Sequence, residues 1–164
     1  MRITVLNTGG TFNKRYNPIK GLLEVPFDSI ALDKIVKSCH NVEFDIKNIV
    51  SKDSLEFTQE DRETILKEIQ NSTSDKIIII HGTDTVDLTA KFIEDKIDGK
   101  KIVFTGAMVP MSIDEVEATM NFSQAIGFLN APIQNGIYLS MHGVVVEHSK
   151  LLKDRSVGQF LVKN

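Results

Sequence analysis

Short runs of apolar, β-rich residues alternate along the chain with longer amphipathic stretches. The runs predict strands at 2–7, 42–50, 76–81, 101–105 and 136–141, and a candidate short extra strand at 143–147. The amphipathic stretches predict helices near 28–39, 58–71, 85–97 and 114–130. Such alternation is typical of parallel strands joined by right-handed crossovers. We therefore predict an α/β fold, a three-layer sandwich around a mostly parallel, flavodoxin-like sheet.

One connection, residues 12–27, lacks a clear apolar pattern and has few apolar anchors before Ile19. A loop of this length inside a compact domain is usually functional or mobile. Because it directly follows two glycines at the end of the first predicted strand, we predict that it forms a lid over the adjoining crevice.

Length and composition restrict the class of protein. A chain of 164 residues suits one domain, so we expect residues 1–164 to form a single unit. No stretch approaches the ~20 apolar residues of a membrane span, and the first strand begins without an apolar signal segment, which indicates a cytoplasmic protein with no membrane partner. The net charge of −3, without a basic run, argues against nucleic acid as the main partner. The single cysteine, Cys39, excludes an internal disulfide.

Two polar motifs each follow an apolar run. Thr8-Gly9-Gly10-Thr11 follows the first predicted strand, and His81-Gly82-Thr83-Asp84-Thr85 follows the third. The carboxyl ends of parallel strands share one edge of a sheet, so the two motifs can meet across a single crevice. Their glycines permit sharp turns and a close approach of ligand to main chain. We expect Thr11, Thr83 and Asp84 to face this crevice.

The other predicted strands bring further polar residues to the same edge, in segments 51–54, 105–108 and 150–155. A hydroxyl is a weak nucleophile until a neighbouring group takes its proton, and an amine oriented by a carboxylate is able to do so. A threonine, lysine and aspartate could therefore perform acyl transfer without a metal or cofactor. His81 is interpreted as structural, and the pair His142 and His148 lacks a third ligand for zinc.

The motifs resemble those of the bacterial-type L-asparaginase/glutaminase family over nearly the whole chain. The resemblance rests on the two motifs above, followed in order by Thr105-Gly106-Ala107-Met108-Val109-Pro110 and by Asn121-Phe122. It implies hydrolysis of the side-chain amide of L-asparagine through a covalent acyl-enzyme. No cofactor is expected.

The resemblance also implies individual roles. Thr11 falls on the nucleophile and Tyr16 on the lid tyrosine that assists it. Thr83 and Asp84 fall on the second threonine and the aspartate, and the lysine of the relay falls on Lys153 rather than Lys150. Implied contacts with substrate come from the Ser54 side chain, with Ser51 as the alternative position, and from the main chain near Gly10, Gly82 and Ala107.

Two departures from the family pattern affect substrate binding. Full-length members carry a C-terminal domain that supplies an acidic residue to a neighbouring subunit, whereas we expect this chain to be the short form without that domain. The glutamine that follows the binding serine in many members is Leu55 here. We expect Asp53 to take over part of the recognition.

Two alternatives stay open beside the amidohydrolase. One is a non-catalytic amino-acid-binding or regulatory module, which would not need Lys153 beside Thr83. The other is a nucleotide-binding domain, although no Lys-Ser or Lys-Thr follows the glycines. In each case the expected partner is a small molecule, L-asparagine or L-glutamine for the enzyme. A crevice flank left uncovered by the missing domain predicts a homodimer or homotetramer.

Overall fold

The computed structural model describes residues 1–163. Strands β1 to β10 span Arg2–Gly9, Arg15–Asn17, Leu22–Glu24, Glu43–Lys52, Lys76–Ile80, Lys101–Thr105, Gly136–Met141, Val144–Glu147, Leu151–Asp154 and Gln159–Val162. Helices α1 to α4 span Ile30–Val36, Gln59–Asn71, Val86–Glu94 and Glu115–Asn130. Short 3-10 turns cover Thr11–Asn13, Ser54–Glu56 and His148–Lys150.

The central sheet has six strands in the order β4-β1-β5-β6-β7-β8. The first five are parallel, and β8 returns antiparallel to β7. Among the parallel strands the chain order is 2-1-3-4-5, which is the flavodoxin-like arrangement and confirms the predicted fold class. In this arrangement ligands bind where the strand order reverses, between β1 and β5. The two polar motifs follow these two strands.

Two apolar cores lie on opposite faces of the sheet. Successive side chains of a strand point to opposite faces, so β5 contributes Ile77 and Ile79 to one core and Ile78 and Ile80 to the other. Helices α2 and α3 cover the first core, and α1 and α4 cover the second. No helix within residues 1–163 is long and apolar enough to cross a membrane.

The largest difference from the prediction concerns the 12–27 segment. It contains a two-stranded hairpin, β2 paired with β3, in which Tyr16 lies opposite Leu23. Each strand has three residues, and both of those side chains are exposed, so the hairpin has no alternating apolar pattern that could reveal it. Helix α1 is also shorter than the predicted 28–39, and the hairpin β9–β10 was not expected.

Candidate active site

The two glycine motifs pack directly against each other. A Cβ atom placed on Gly10 would lie 2.5 Å from the Cα of Gly82, so the two backbones touch at a point where no side chain fits. Gly10 also has a φ of 69°, which glycine adopts without strain. Thr11 and Thr83 each lie one residue further along the chain from this contact.

The third motif joins this stack through Gly106. A Cβ on Gly106 would lie 2.5 Å from the His81 carbonyl oxygen and 3.5 Å from Cγ2 of Thr83. Ala107, the next residue, is buried. Three loops from different strands are thus held together by glycine contacts, as we expect where backbone must lie close to a ligand.

Lys153 links two of the predicted catalytic groups. Its Nζ donates hydrogen bonds to Oγ1 of Thr83 at 2.9 Å and to Oδ1 of Asp84 at 2.7 Å. The lysine side chain is 13% exposed, so this ion pair is largely shielded from water. Lys150, the other candidate, is 61% exposed and pairs with Glu147. The structure therefore brings Lys153 rather than Lys150 to Thr83 and Asp84.

Arg155, which the sequence places at this edge of the sheet without a role, is a neighbour of Asp84. Its guanidinium donates to the Asp84 carbonyl oxygen at 2.8 Å, and its Nε lies 3.8 Å from the Asp84 carboxylate. The spacing of the tail does not indicate this contact, because the contact depends on the turn between β9 and β10. Arg155 adds a second positive charge beside Asp84.

Ser54 lies against the second motif. A Cβ on Gly82 would be 2.6 Å from the Ser54 hydroxyl, which accepts a hydrogen bond from the Asp84 N–H at 3.2 Å. The Thr85 hydroxyl donates to the Ser54 carbonyl at 2.8 Å. Ser51, the alternative candidate, instead donates to the Val25 carbonyl at 2.6 Å.

Asp53 already has partners for both carboxylate oxygens. Lys14 donates to one at 2.6 Å, and the Leu55 N–H donates to the other at 3.3 Å. Partial burial raises the pKa of Asp53, but these hydrogen bonds, with the charges of Lys14 and Lys153, outweigh burial and hold that pKa below its usual value. A direct contact between Asp53 and substrate stays a prediction, and Lys14 was missed as its partner.

His81 has a structural environment. Its Nδ1 donates to the Gly82 carbonyl at 2.8 Å, because a carbonyl only accepts, and this leaves Nε2 to accept from the Thr89 hydroxyl at 2.9 Å. Burial lowers the pKa of His81 to about 4, despite the opposing effect of the Gly82 carbonyl. The ring is therefore neutral at pH 7 and fixes the backbone of the motif.

The Tyr16 side chain lies largely in solvent in this structure. Its side chain is 63% exposed, and its hydroxyl makes no hydrogen bond within residues 1–163. The base of its hairpin is held by Lys14 on Asp53 and by Arg15, whose guanidinium donates to both oxygens of Asp28 at 3.0 and 2.6 Å. The role of Tyr16 in catalysis stays a prediction.

The part of the chain that the structure describes contains no cluster of three His, Cys, Asp or Glu side chains that could hold a metal ion. His142 and His148 each pair with a glutamate instead, Glu117 and Glu94 respectively. The groups that the preceding contacts bring to the crevice are hydroxyls, lysine amines, the Arg155 guanidinium, carboxylates and main-chain groups.

Comparison with known proteins gives consistent matches. A family model described as Asparaginase, N-terminal, matches residues 2–158. A glutamyl-tRNA(Gln) amidotransferase subunit of Methanococcus maripaludis strain C7 is 29% identical over 151 residues, covering 86% of this chain and 35% of that protein. The protein of the same name from Thermococcus kodakarensis is 30% identical over 129 residues, covering 73% of this chain and 28% of its own length.

A solved structure is similar over almost the whole chain. It is the thermostable L-asparaginase from Thermococcus kodakarensis, with a TM-score of 0.87 and 25% identity, covering 99% of this chain and 51% of that one. This chain therefore spans about a third of the curated relatives and about half of the solved structure.

Proposed function

The chain belongs to the asparaginase family through its N-terminal domain, and from this premise we propose that it is an amidohydrolase that converts L-asparagine to L-aspartate and ammonia. The observation that carries the proposal is Lys153, whose Nζ lies within hydrogen-bond distance of both Thr83 and Asp84. An amine, a hydroxyl and a carboxylate in this arrangement can transfer protons. A binding module has no need of that cluster.

In the proposed reaction the Thr11 hydroxyl attacks the side-chain carbonyl carbon, and its proton is transferred along the relay: Thr83 takes it and passes its own to Lys153, as Lys153 gives one to the Asp84 carboxylate. Main-chain N–H groups near Thr83 and Ala107 stabilise the oxyanion that forms. The C–N bond then breaks, and the relay returns the proton to the nitrogen, which leaves as ammonia. Water attacks the Thr11 ester, releasing L-aspartate and restoring the hydroxyl.

The direct test is ammonia release by the purified chain from L-asparagine, with L-glutamine assayed in parallel. One extra methylene in a pocket changes binding by only ~1–3 kcal/mol, so both amides must be measured. Ammonia release with saturable kinetics supports the proposal. Saturable binding of L-aspartate by a folded chain that releases no ammonia supports the non-catalytic module, and binding of a nucleotide instead supports the phosphate-binding alternative.

The relatives favour a second candidate. The curated relatives reported above are named as subunits of a glutamyl-tRNA(Gln) amidotransferase, and this chain matches about a third of their length. The same site could then release ammonia from an amide for use by a partner protein. A glutamine preference over asparagine in the ammonia assay would favour this candidate.

If the 12–27 segment is a mobile lid, bound ligand should protect it from proteolysis. Cleavage after Lys14 or Arg15 requires the hairpin β2–β3 to leave the ion pairs with Asp53 and Asp28. L-aspartate should therefore slow trypsin cleavage at these two sites. If the lid also carries Tyr16 to the reacting groups, Tyr16→Phe should lower kcat more than it raises KM. Cleavage after Lys37, which is exposed at the end of α1, is the internal control. Equal rates with and without saturating ligand would show that the hairpin is no lid.

Self-association is expected to involve the start of α4. Val116 and Met120 are 71% and 44% exposed and lie one turn apart on α4, and Ile113, which is 65% exposed, lies in the turn just before the helix, so exposed apolar side chains are concentrated here. We expect a homodimer or a dimer of dimers with symmetric contacts. Sedimentation should show that Val116→Lys dissociates it, whereas Leu88→Lys, at an exposed apolar position of α3, leaves it intact. A monomer at micromolar concentration contradicts the expectation.

A further inference from the structure

His142 lies at the turn between β7 and β8, outside the proposed relay. Its backbone has a φ of 51°, and it is the one non-glycine residue in the described part of the chain with a left-handed conformation. Such a conformation costs ~1–2 kcal/mol for most residues. The ring is 23% exposed and contacts two elements that flank the crevice.

The hydrogen bonds of the ring fix its tautomer. Nδ1 lies 3.2 Å from the backbone nitrogen of Phe160, and since an N–H group only donates, Nδ1 must accept. The neutral ring then carries its proton on Nε2, which donates to Oε1 of Glu117 at 3.0 Å. His142 is thus an acceptor toward β10 and a donor toward α4.

The contact with β10 bears directly on the relay lysine. Phe160 is the residue paired with Lys153 across the β9–β10 hairpin, and its ring packs edge-on against His142 with centroids 5.9 Å apart. This two-stranded hairpin is not part of the central sheet. The hydrogen bond from Phe160 to His142 therefore ties the strand opposite Lys153 to the end of β7.

Glu117 continues the connection to the other side of the crevice. Its two oxygens accept hydrogen bonds from the N–H groups of Met108 and Val109 at 2.9 and 3.0 Å, immediately after Ala107. Asn121 reinforces the link, because it accepts from the His142 N–H and donates to the Gly106 carbonyl, both at 3.0 Å. One network thus runs from the loop at Gly106–Val109 to the Lys153 hairpin.

We propose that His142, held by Glu117, is a positioning residue that sets Lys153 against Thr83 and Asp84. The inference rests on the proposed amidohydrolase function. His142 touches neither substrate nor reacting atoms, so its effect is on the proton relay rather than on ground-state binding. Its removal should therefore lower kcat and leave KM nearly unchanged.

Three substitutions separate the two ring contacts. In His142→Asn the amide oxygen occupies the place of Nδ1 and accepts from Phe160, and asparagine tolerates the left-handed backbone. In His142→Gln the amide nitrogen occupies the place of Nε2 and keeps only the Glu117 contact. In His142→Gly both contacts are lost without backbone strain. His148→Gln is the matched control, because the His148 ring also pairs with a glutamate, Glu94, and among the described residues it makes no hydrogen bond to Phe160 or to the relay side chains.

We expect the asparagine variant to keep kcat within about threefold of the parent. The glycine and glutamine variants should lose about tenfold or more in kcat, because small misplacements of catalytic groups cost large factors in rate. KM should change little in all of them, and His148→Gln should match the parent. A glycine variant with parental kcat overturns the inference. So does an asparagine variant as slow as the glycine variant.

Hydrogen exchange measures the contact without any turnover. The Phe160 amide should be protected in the parent and in His142→Asn, and should exchange faster in His142→Gly. Fast exchange of this amide in the parent overturns the positioning role. If the parent releases no ammonia but the exchange pattern holds, the proposed function fails while the contact between His142 and the Lys153 hairpin stands.

Discussion

Thr11→Val is expected to reduce amide hydrolysis by more than about a thousandfold while leaving the fold intact. Valine has nearly the shape of threonine, so the change removes the hydroxyl and little else. Thr11 is half-buried at the start of a 3-10 turn, and its side chain makes no hydrogen bond within residues 1–163. A hydroxyl without a structural partner is free to react with substrate.

Two further variants make this result specific. Thr11→Ser retains the nucleophilic oxygen and should keep measurable turnover. Thr8→Val removes a buried hydroxyl three residues earlier, which donates to the Ile80 carbonyl at 2.6 Å, and should cost roughly 1 kcal/mol of stability with little effect on kcat. Turnover within about tenfold of the parent for Thr11→Val would exclude Thr11 as the nucleophile.

The sheet was predictable from the sequence because burial on both faces leaves a strong signal. Ile77 to Ile80 form an unbroken apolar run, and the structure buries all four residues completely. The meeting of the two motifs followed from the same rule, since the strands that precede them end at one edge of the sheet. Gly10 against Gly82 is the contact that this reasoning anticipates.

The polar partners at the crevice were not predictable in the same way. Lys14 reaches Asp53 across 39 positions of sequence, and the pairing depends on the path of a short exposed hairpin with no apolar pattern. Asp53 was expected to contact substrate because it lies beside Ser54. Sequence spacing does not reveal which lysine or arginine forms an ion pair with a given carboxylate. His142 was considered only as a metal ligand, although its contacts are to Glu117 and Phe160.

The assignment of Lys153 came from the family resemblance, with a count along the chain from Met141 that favoured Lys153 over Lys150. Leu151 is buried and Lys150 exposed, so a shift of a few positions along this segment changes which side chain reaches the crevice. The contact depends on the hairpin β9–β10, which the apolar pattern did not predict. The relay is therefore the part of the site where substitution gives the most information.

Lys153→Met and Asp84→Asn are each expected to lower kcat by several orders of magnitude, and the double variant should be little worse than either single one. Both side chains meet through a 2.7 Å hydrogen bond, and Lys153 also contacts Thr83, so they act on the same proton. Residues of one catalytic unit show such non-additive losses. The measurement is kcat for the four proteins of the cycle, with unfolding curves to confirm that each is folded.

Lys150→Met is the control for this cycle, because it removes the same charge three residues earlier, where the side chain is exposed and paired with Glu147. An exposed ion pair contributes only ~0–1 kcal/mol, so stability and kcat should both stay close to the parent. If Lys150→Met lost activity and Lys153→Met did not, the lysine of the relay would be Lys150. Fully additive losses for Lys153 and Asp84 would mean that the two groups serve separate steps, with Lys153 alone acting on the proton.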